Sequence, residues 1–319
     1  MEIKENDDRP IIVTIRCVTY NHEPYIRQCL EGLVMQKTNF RFEAVVHDDA
    51  STDKTADIIR EYAEKYPDII KPIYETENQF SKHDGSLRRI VNAHLRGKYV
   101  ALCEGDDYWI DPLKLQKQVE FLESHPEYVL VHTNFSCDRN GYVFHTNEMN
   151  KVPKIDDYST VLLSEGNKVV TLTALFCKDA LDRTPHLADG KGWMMGDYPF
   201  WIELSHEGKF KYLDDITANY RVLEQSASHS TQAERRLEFI ENSREICFFY
   251  RDYYKMNISK EVIERRFYIS FIKTAYDYKR KDLAIKYYHK ARSRGVVTFK
   301  EWIFVILLKL RDLKISAFH

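Results

Sequence analysis

In 319 residues the chain is 44% hydrophobic and 13% aromatic, ample for a buried core in one large or two small domains and incompatible with a disordered polyelectrolyte. Its formal charge of −2 hides a split, because residues 1–231 sum to −11 and residues 232–319 to +9. That asymmetry predicts a boundary near 231, between an acidic module suited to holding metal (1–231) and a basic module suited to an anionic surface (232–319); no nucleic-acid partner is expected.

The opening MEIKENDDRP is charged and lacks an apolar run, so neither a signal peptide nor an anchor is expected there, and the cytoplasm is the expected compartment. Residues 11–15 are β-branched and predict a buried strand. Asn21 and Pro24 then open a helix whose Ile26, Cys29, Leu30, Leu33 and Val34 recur at helical spacing. Residues 42–46 predict a second strand, S-T-D-K-T-A-D a second helix, and 69–74 a third strand. A helix over about 86–95 precedes a fourth strand at 99–103, and Asp111-Pro112 starts a helix carrying Leu115, Val119 and Leu122. Alternating strands and helices imply an α/β fold with a mostly parallel sheet covered on both faces. Beyond about 150 the alternation weakens: strands are predicted at 168–176, 209–213 and 217–222, a short helix after Gly196, and helices over 232–294. The segment 134–167 has no readable pattern. Six cysteines, at 17, 29, 103, 137, 177 and 247, form no C-x-x-C pair and read as buried thiols.

The most informative stretch is C-E-G-D-D-Y-W (103–109), which crowds Glu104, Asp106 and Asp107 into four positions after strand four. Carboxylates that close repel and raise each other's pKa, so a cation is expected among them. H-D-D (47–49) follows strand two in the same way, and open α/β sheets bind ligands outside the carboxyl ends of their strands. Both acidic groups are therefore expected on one rim. With no glycine-rich phosphate loop in the chain, that rim suits Mg²⁺ or Mn²⁺ bridging carboxylate and phosphate oxygens.

Five stretches in order resemble the family 2 nucleotide-sugar glycosyltransferases of GT-A (Rossmann-like) fold, in particular bacterial enzymes of surface-polysaccharide assembly. These are C-V-T-Y-N (17–21), H-D-D-A-S-T-D-K-T (47–55), E-G-D-D-Y-W-x-D-P-x-K-L (104–115), G-D-Y-P-F-W (196–201) and Y-R-V-L-E-Q-S-A-S (220–228), so the likeness runs from about 10 to about 230. The resemblance implies a nucleotide-binding half over about 10–135 and an acceptor half over about 136–231. It further implies that Asp49 accepts a hydrogen bond from the nucleotide base, with Thr19 and Asn21 on the same floor, that Asp106 contacts the ribose or a metal-bound water, and that Asp107 ligates the metal. Asp197 is implied as the general base, and Arg221 as a residue near the diphosphate or the loop that closes over it. The chain departs from the family at His47, where valine is frequent, and at His229, a candidate further metal ligand. Trp109 and Trp193 flank the site and are candidate platforms for acceptor or sugar, with core packing the other reading. Arg88 or Arg89 could reach a phosphate, whereas Asp53 and Thr55 read as helix-cap residues.

The implied reaction is metal-dependent transfer of a sugar from a nucleoside diphosphate donor to a glycan or lipid-linked acceptor, with inversion implied by family membership alone. A catalytically silent nucleotide-sugar or glycan binder on the same fold is the alternative. The basic end, K-E-W-I-F-V-I-L-L-K-L-R-D-L-K, has seven consecutive apolar residues (302–308), far fewer than the roughly 20 that span a bilayer. It suits a solvated face, a helix lying peripherally on the inner face of an anionic membrane, or a subunit contact in an oligomer.

Overall fold

Nine consecutive residues with strand propensity, Ile11–Thr19, form β1, and its alternation sends Val13, Ile15 and Cys17 into a core from which solvent is excluded. This is a computed structural model of the chain, and it describes residues 9–145, 156–223, 230 and 232–296. β2 (Arg41–Asp48) and β4 (Tyr99–Leu102) flank β1 in parallel, and β3 (Ile70–Tyr74) extends the sheet beyond β2. Helices α1 (Ile26–Val34), α2 (Thr55–Lys65) and α4 (Lys114–Ser124) lay Leu30, Ile59 and Leu115 into the same core as Ile15. The helix α3 (Ser86–Asn92) precedes β4. Burying a leucine or isoleucine side chain in this way contributes about 1.5–3 kcal/mol, and an amphipathic helix is held on the sheet by a stripe of such residues.

The second half of the sheet differs from the first. β5 (Tyr108–Trp109), β6 (Tyr128–Arg139), β7 (Tyr142–Phe144), β8 (Leu175–Cys177) and β9 (Lys209–Arg221) complete the order β3-β2-β1-β4-β8-β6-β9-β5, with β7 paired to β6. The sheet is parallel through β3, β2, β1 and β4 and mixed beyond, where β8 runs antiparallel to both neighbours. Three sequence expectations are corrected here. The strand expected over 168–176 is a 3₁₀ turn, Thr171–Thr173, followed by the three-residue β8. The two strands expected at 209–213 and 217–222 are one strand, β9, with register irregularities against β6. β6 itself lies partly in the segment without readable pattern; eleven of its twelve residues are buried.

The first compact unit comprises residues 1–158, 167–192 and 197–222, and it contains the sheet together with α6 (Lys178–Arg183) and α7 (Asp197–Leu204). α5 (Tyr158–Glu165) precedes α6 in the chain. The second unit comprises residues 159–166, 193–196 and 223–319, and its described part is built on α8 (Ala233–Tyr253), α9 (Lys260–Asp277) and α10 (Lys281–Ser293). Within it Ser259 caps α9 by accepting from the Val262 amide, and Ile272, Ala275, Ala284 and Tyr288 form a small core. No helix among the described residues is long and apolar enough to cross a membrane, and the apolar run 302–308 lies outside the described residues.

Candidate active site at the carboxyl edge of the sheet

The end of β1 is the hinge of the site. The Asp49 amide donates to the Thr19 carbonyl at 2.9 Å, and on the other side of the strand the Gly105 amide donates to the Val18 carbonyl at 3.0 Å. Main-chain pairing thus brings the two acidic stretches to adjacent positions on one edge. Gly105 is required by this approach: a Cβ there would fall 2.6 Å from Thr19 Oγ1 and 2.9 Å from His22 Nδ1.

Glu104, Asp106 and Asp107 form a cluster in which one carboxylate oxygen from each lies within 4.8 Å of the others. Asp107 is 2% exposed, and its Oδ1 accepts from the Arg221 amide at 2.7 Å. Burial raises its pKa well above the ordinary carboxylate value, with Asp106 and Glu104 adding like charge and the Arg221 amide opposing. Glu104 stays open to solvent at one side, but loss of hydration among the surrounding protein atoms, then the charges of Asp106 and Asp197, push it up to about 7. A donor set made only of carboxylate oxygens, left in mutual repulsion, fits a hard divalent cation such as Mg²⁺ or Mn²⁺.

Asp197 opens α7, where its Oδ2 accepts from Asn167 Nδ2 at 3.1 Å. Burial raises its pKa, against the Tyr198 and Asp197 amides and Asn167. Its charge reaches Glu104, so it belongs to the same electrostatic site as the acidic cluster.

The other rim residues divide into those with free polar atoms and those already engaged. Thr19 Oγ1, His22 Nδ1 and Asp48 Oδ1 are buried without a hydrogen-bond partner among the described residues, and such orphaned groups are costly in a folded chain unless something else satisfies them. Burial lowers the pKa of His22, against the pull of Asp106, Asp53 and Asp48. Asp49, by contrast, accepts from the amides of Gln79 (2.7 Å) and Phe80 (3.0 Å), fixing the segment after β3. Asn21, at φ 53°, accepts from the Thr52 amide at 2.8 Å while its own amide donates to Ser51 Oγ at 2.9 Å, joining the first two βα loops. Asp53 stands one residue before the N-cap of α2, Lys54, and ties the turn together, its Oδ1 accepting from the Thr55 amide and its Oδ2 from the Glu23 amide. His47 is fully buried, with Nε2 3.4 Å from Glu75 Oε1.

Arg221 is held on every side. Its Nε donates to the Asp106 carbonyl (2.7 Å), Nη1 to Asp138 (3.3 Å) and Nη2 to Gln28 (2.8 Å), between the rings of Tyr25 and Tyr108. It braces the acidic segment from behind. Arg88 is ion-paired with Asp189, and Arg89 donates to the Asp84 carbonyl.

The platform reading of Trp109 is corrected. Trp109 is 2% exposed, donates from Nε1 to the Leu172 carbonyl at 2.8 Å and lies under Lys114 Nζ at 4.3 Å, so it is a core residue and offers no sugar platform. β5 pairs with β9 at Ala218, which turns the ring inward. Trp193 belongs to the second unit, with its ring 5.3 Å from Phe249 and 5.9 Å from Tyr250. His229 lies outside the described residues. Residues that the sequence reading did not assign, Asp48, His22 and Arg16, reach significance only through the fold; Glu104 was visible in the acidic crowding itself.

The profile of glycosyl transferase family 2 matches residues 14–182. An uncharacterized protein of Mycobacterium tuberculosis is 49% identical over 115 residues, which is 36% of this chain and 32% of that one, so the match covers about a third of that relative's length. The structure is similar to that of S. aureus TarS in complex with UDP-GlcNAc, with TM-score 0.57, 17% identity and coverage of 84% of this chain and 73% of that chain. It is also similar to a mannosyltransferase from Pyrobaculum calidifontis in complex with GDP-Man and Mn²⁺, with TM-score 0.55, 18% identity and coverage of 96% and 81%. At these identities the two structural likenesses show a shared fold.

Proposed function

The chain belongs to glycosyl transferase family 2, and from that membership we propose that it moves a sugar from a nucleoside diphosphate donor to a glycan or lipid-linked acceptor, assisted by a divalent cation and with inversion at the anomeric carbon. One observation carries the reading: Glu104, Asp106 and Asp107 converge within 4.8 Å at the strand edge that also holds the unsatisfied Thr19, His22 and Asp48 atoms.

In this reading Asp107, Asp106 and Glu104 hold Mn²⁺ or Mg²⁺. When bound, the ion acts as a Lewis acid toward the diphosphate leaving group. Thr19 and Asp48 meet the nucleotide base, because Asp48 keeps a free acceptor whereas both oxygens of Asp49 are engaged in holding residues 79–80. Asp197 takes the proton of the acceptor hydroxyl as it attacks; a raised pKa makes its carboxylate a stronger base, and Asn167 fixes its orientation. Arg221 is a positioning residue, since it holds the Asp106 carbonyl and gives its amide to Asp107. A role in bacterial polysaccharide assembly, on the cytoplasmic face of a membrane reached through residues 232–319, is the cellular setting that this reading favours.

The test is Mn²⁺-dependent release of nucleoside diphosphate across a panel of UDP-, GDP- and dTDP-sugars, preceded by a thermal-shift screen, since a ligand binding only the native state raises stability by RT ln(1+[L]/Kd). Asp107→Ala should abolish the release while the circular dichroism spectrum is retained. Unchanged release contradicts the assignment of Asp107, and a protein that binds intact donor in the presence of acceptors without releasing nucleotide is a binder.

A further inference from the structure

Arg16 lies on the central strand three residues before Thr19, on the face opposite Ile15 and Cys17, in register with Val45 of β2 and Leu102 of β4. It is partly buried, and burial holds its guanidinium below the usual arginine value while leaving it charged. Among the described residues its guanidinium makes no hydrogen bond and no ion pair, although its carbonyl accepts from the Cys103 amide at 3.2 Å. Other enclosed cations of the first unit are satisfied: Lys114 Nζ donates to Gln118 Oε1 at 2.7 Å, and Arg221 has three acceptors. Two charges act on Arg16. Glu104 attracts it from the start of the acidic segment, and Arg88 repels it from α3 while itself paired with Asp189.

Glu104 is also one of the three acids suited to the cation. Once its carboxylate is shared with a divalent ion it no longer balances Arg16, and the repulsion from Arg88 remains. A guanidinium is a fork of five donors matched to phosphate and carboxylate oxygens, and that of Arg16 has no protein acceptor among the described residues. We propose that Arg16 receives an oxyanion of the donor, either a diphosphate oxygen or a carboxylate on the transferred sugar. This rests on the donor reading above and assigns the donor's negative charge to a residue under the rim, separate from the acids.

The experiment is titration calorimetry of the full chain with Mn²⁺ at pH 7.5, using UMP, UDP, UDP-glucose and UDP-glucuronate, or the guanosine or thymidine series if the uridine series does not bind. Arg16→Ala is expected to weaken UDP, UDP-glucose and UDP-glucuronate together by about tenfold if the oxyanion is a phosphate oxygen, or UDP-glucuronate alone by about that factor if it is the sugar carboxylate. UMP should be unchanged, and Arg16→Lys should recover part of the loss. The thermal midpoint of Arg16→Ala without ligand should stay near that of the wild type, because no side-chain hydrogen bond to a described residue is lost. Equal binding of all four ligands by wild type and Arg16→Ala overturns the proposal, as does a lowered midpoint with UMP weakened as much as the rest. If the wild type binds none of the nucleotides, the donor reading fails first, a result seen before any variant is made, and the assignment of Arg16 falls with it.

Discussion

The two acidic stretches at the strand edge look alike in sequence and are treated oppositely by the fold. In the first, Asp49 accepts from two amides and Asp48 Oδ2 from the Ser51 amide, so the chain spends these carboxylates on its own loops and leaves one acceptor, Asp48 Oδ1, free. In the second, Glu104, Asp106 and Asp107 face one another with one amide, that of Arg221, donating to Asp107, and the pKa values of Glu104 and Asp107 rise. Carboxylates satisfied by the main chain build a site; carboxylates left in mutual repulsion are kept for something positive.

The largest expected effect lies outside both stretches and isolates the chemistry. Asp197→Asn keeps an acceptor for Asn167 but removes the base, so kcat should fall by roughly 10²–10⁴-fold with donor affinity unchanged, as read by steady-state release of nucleoside diphosphate. The comparison itself is broken or sharpened by paired neutralisations. Asp107→Asn should weaken Mn²⁺ binding by at least about 10–100-fold, the loss that outer partners of a metal alone can produce, and should raise the melting temperature of the metal-free protein by relieving repulsion. Asp49→Asn should do the reverse, leaving Mn²⁺ affinity intact and lowering stability by about 1.5–3 kcal/mol, because two amides lose a charged acceptor; chemical denaturation reads this. If both substitutions move stability in the same direction, the contrast between the two stretches is wrong.

The pH dependence follows from the sign of the shifts. Glu104 has a folded pKa of about 7 against an ordinary 4.5, so the folded state holds the proton more tightly. The stability of the metal-free protein from this group is full below the lower value and is lost as pH rises through the interval. Mn²⁺ affinity should move the opposite way, strengthening as pH rises through about 7 when Glu104 gives up its proton. Melting curves at stepped pH, with and without Mn²⁺, check both signs. The smallest effect concerns Trp109: Trp109→Phe loses the hydrogen bond to Leu172 and should cost about 1 kcal/mol of stability without changing the KM for donor, whereas a sugar platform would raise KM.

The first half of the fold was legible because its elements follow simple periods: β-branched runs for β1 and β2, helical spacing for α1 and α4, and acids at the strand ends. β6 escaped because a strand buried on both faces carries polar residues that satisfy one another. His132 bonds to Tyr158 at 2.7 Å, its pKa pushed down to about 3 by burial, and Thr133 bonds to Thr217 at 2.6 Å. Such pairs lie 26 and 84 residues apart in the chain, where no local pattern reports them. For the site, the acidic crowding was readable from charge alone, but the division of labour between Asp48 and Asp49 depends on the amides of residues 79 and 80. Trp109 stays open in the sequence because an aromatic beside acids reads equally well as platform or core, and the pairing of β5 with β9 decides between them. Arg16 stood inside an apolar run with nothing local to mark it.

The central claim, that Glu104, Asp106 and Asp107 form a cation site completed by a nucleoside diphosphate, is tested most directly by a Mn²⁺ titration followed by electron paramagnetic resonance at pH 7.5. The account predicts one saturable Mn²⁺ per chain, bound more tightly when nucleoside diphosphate is added and lost in Asp107→Asn. Absence of a saturable site in the wild type, or equal binding by Asp107→Asn, would contradict it.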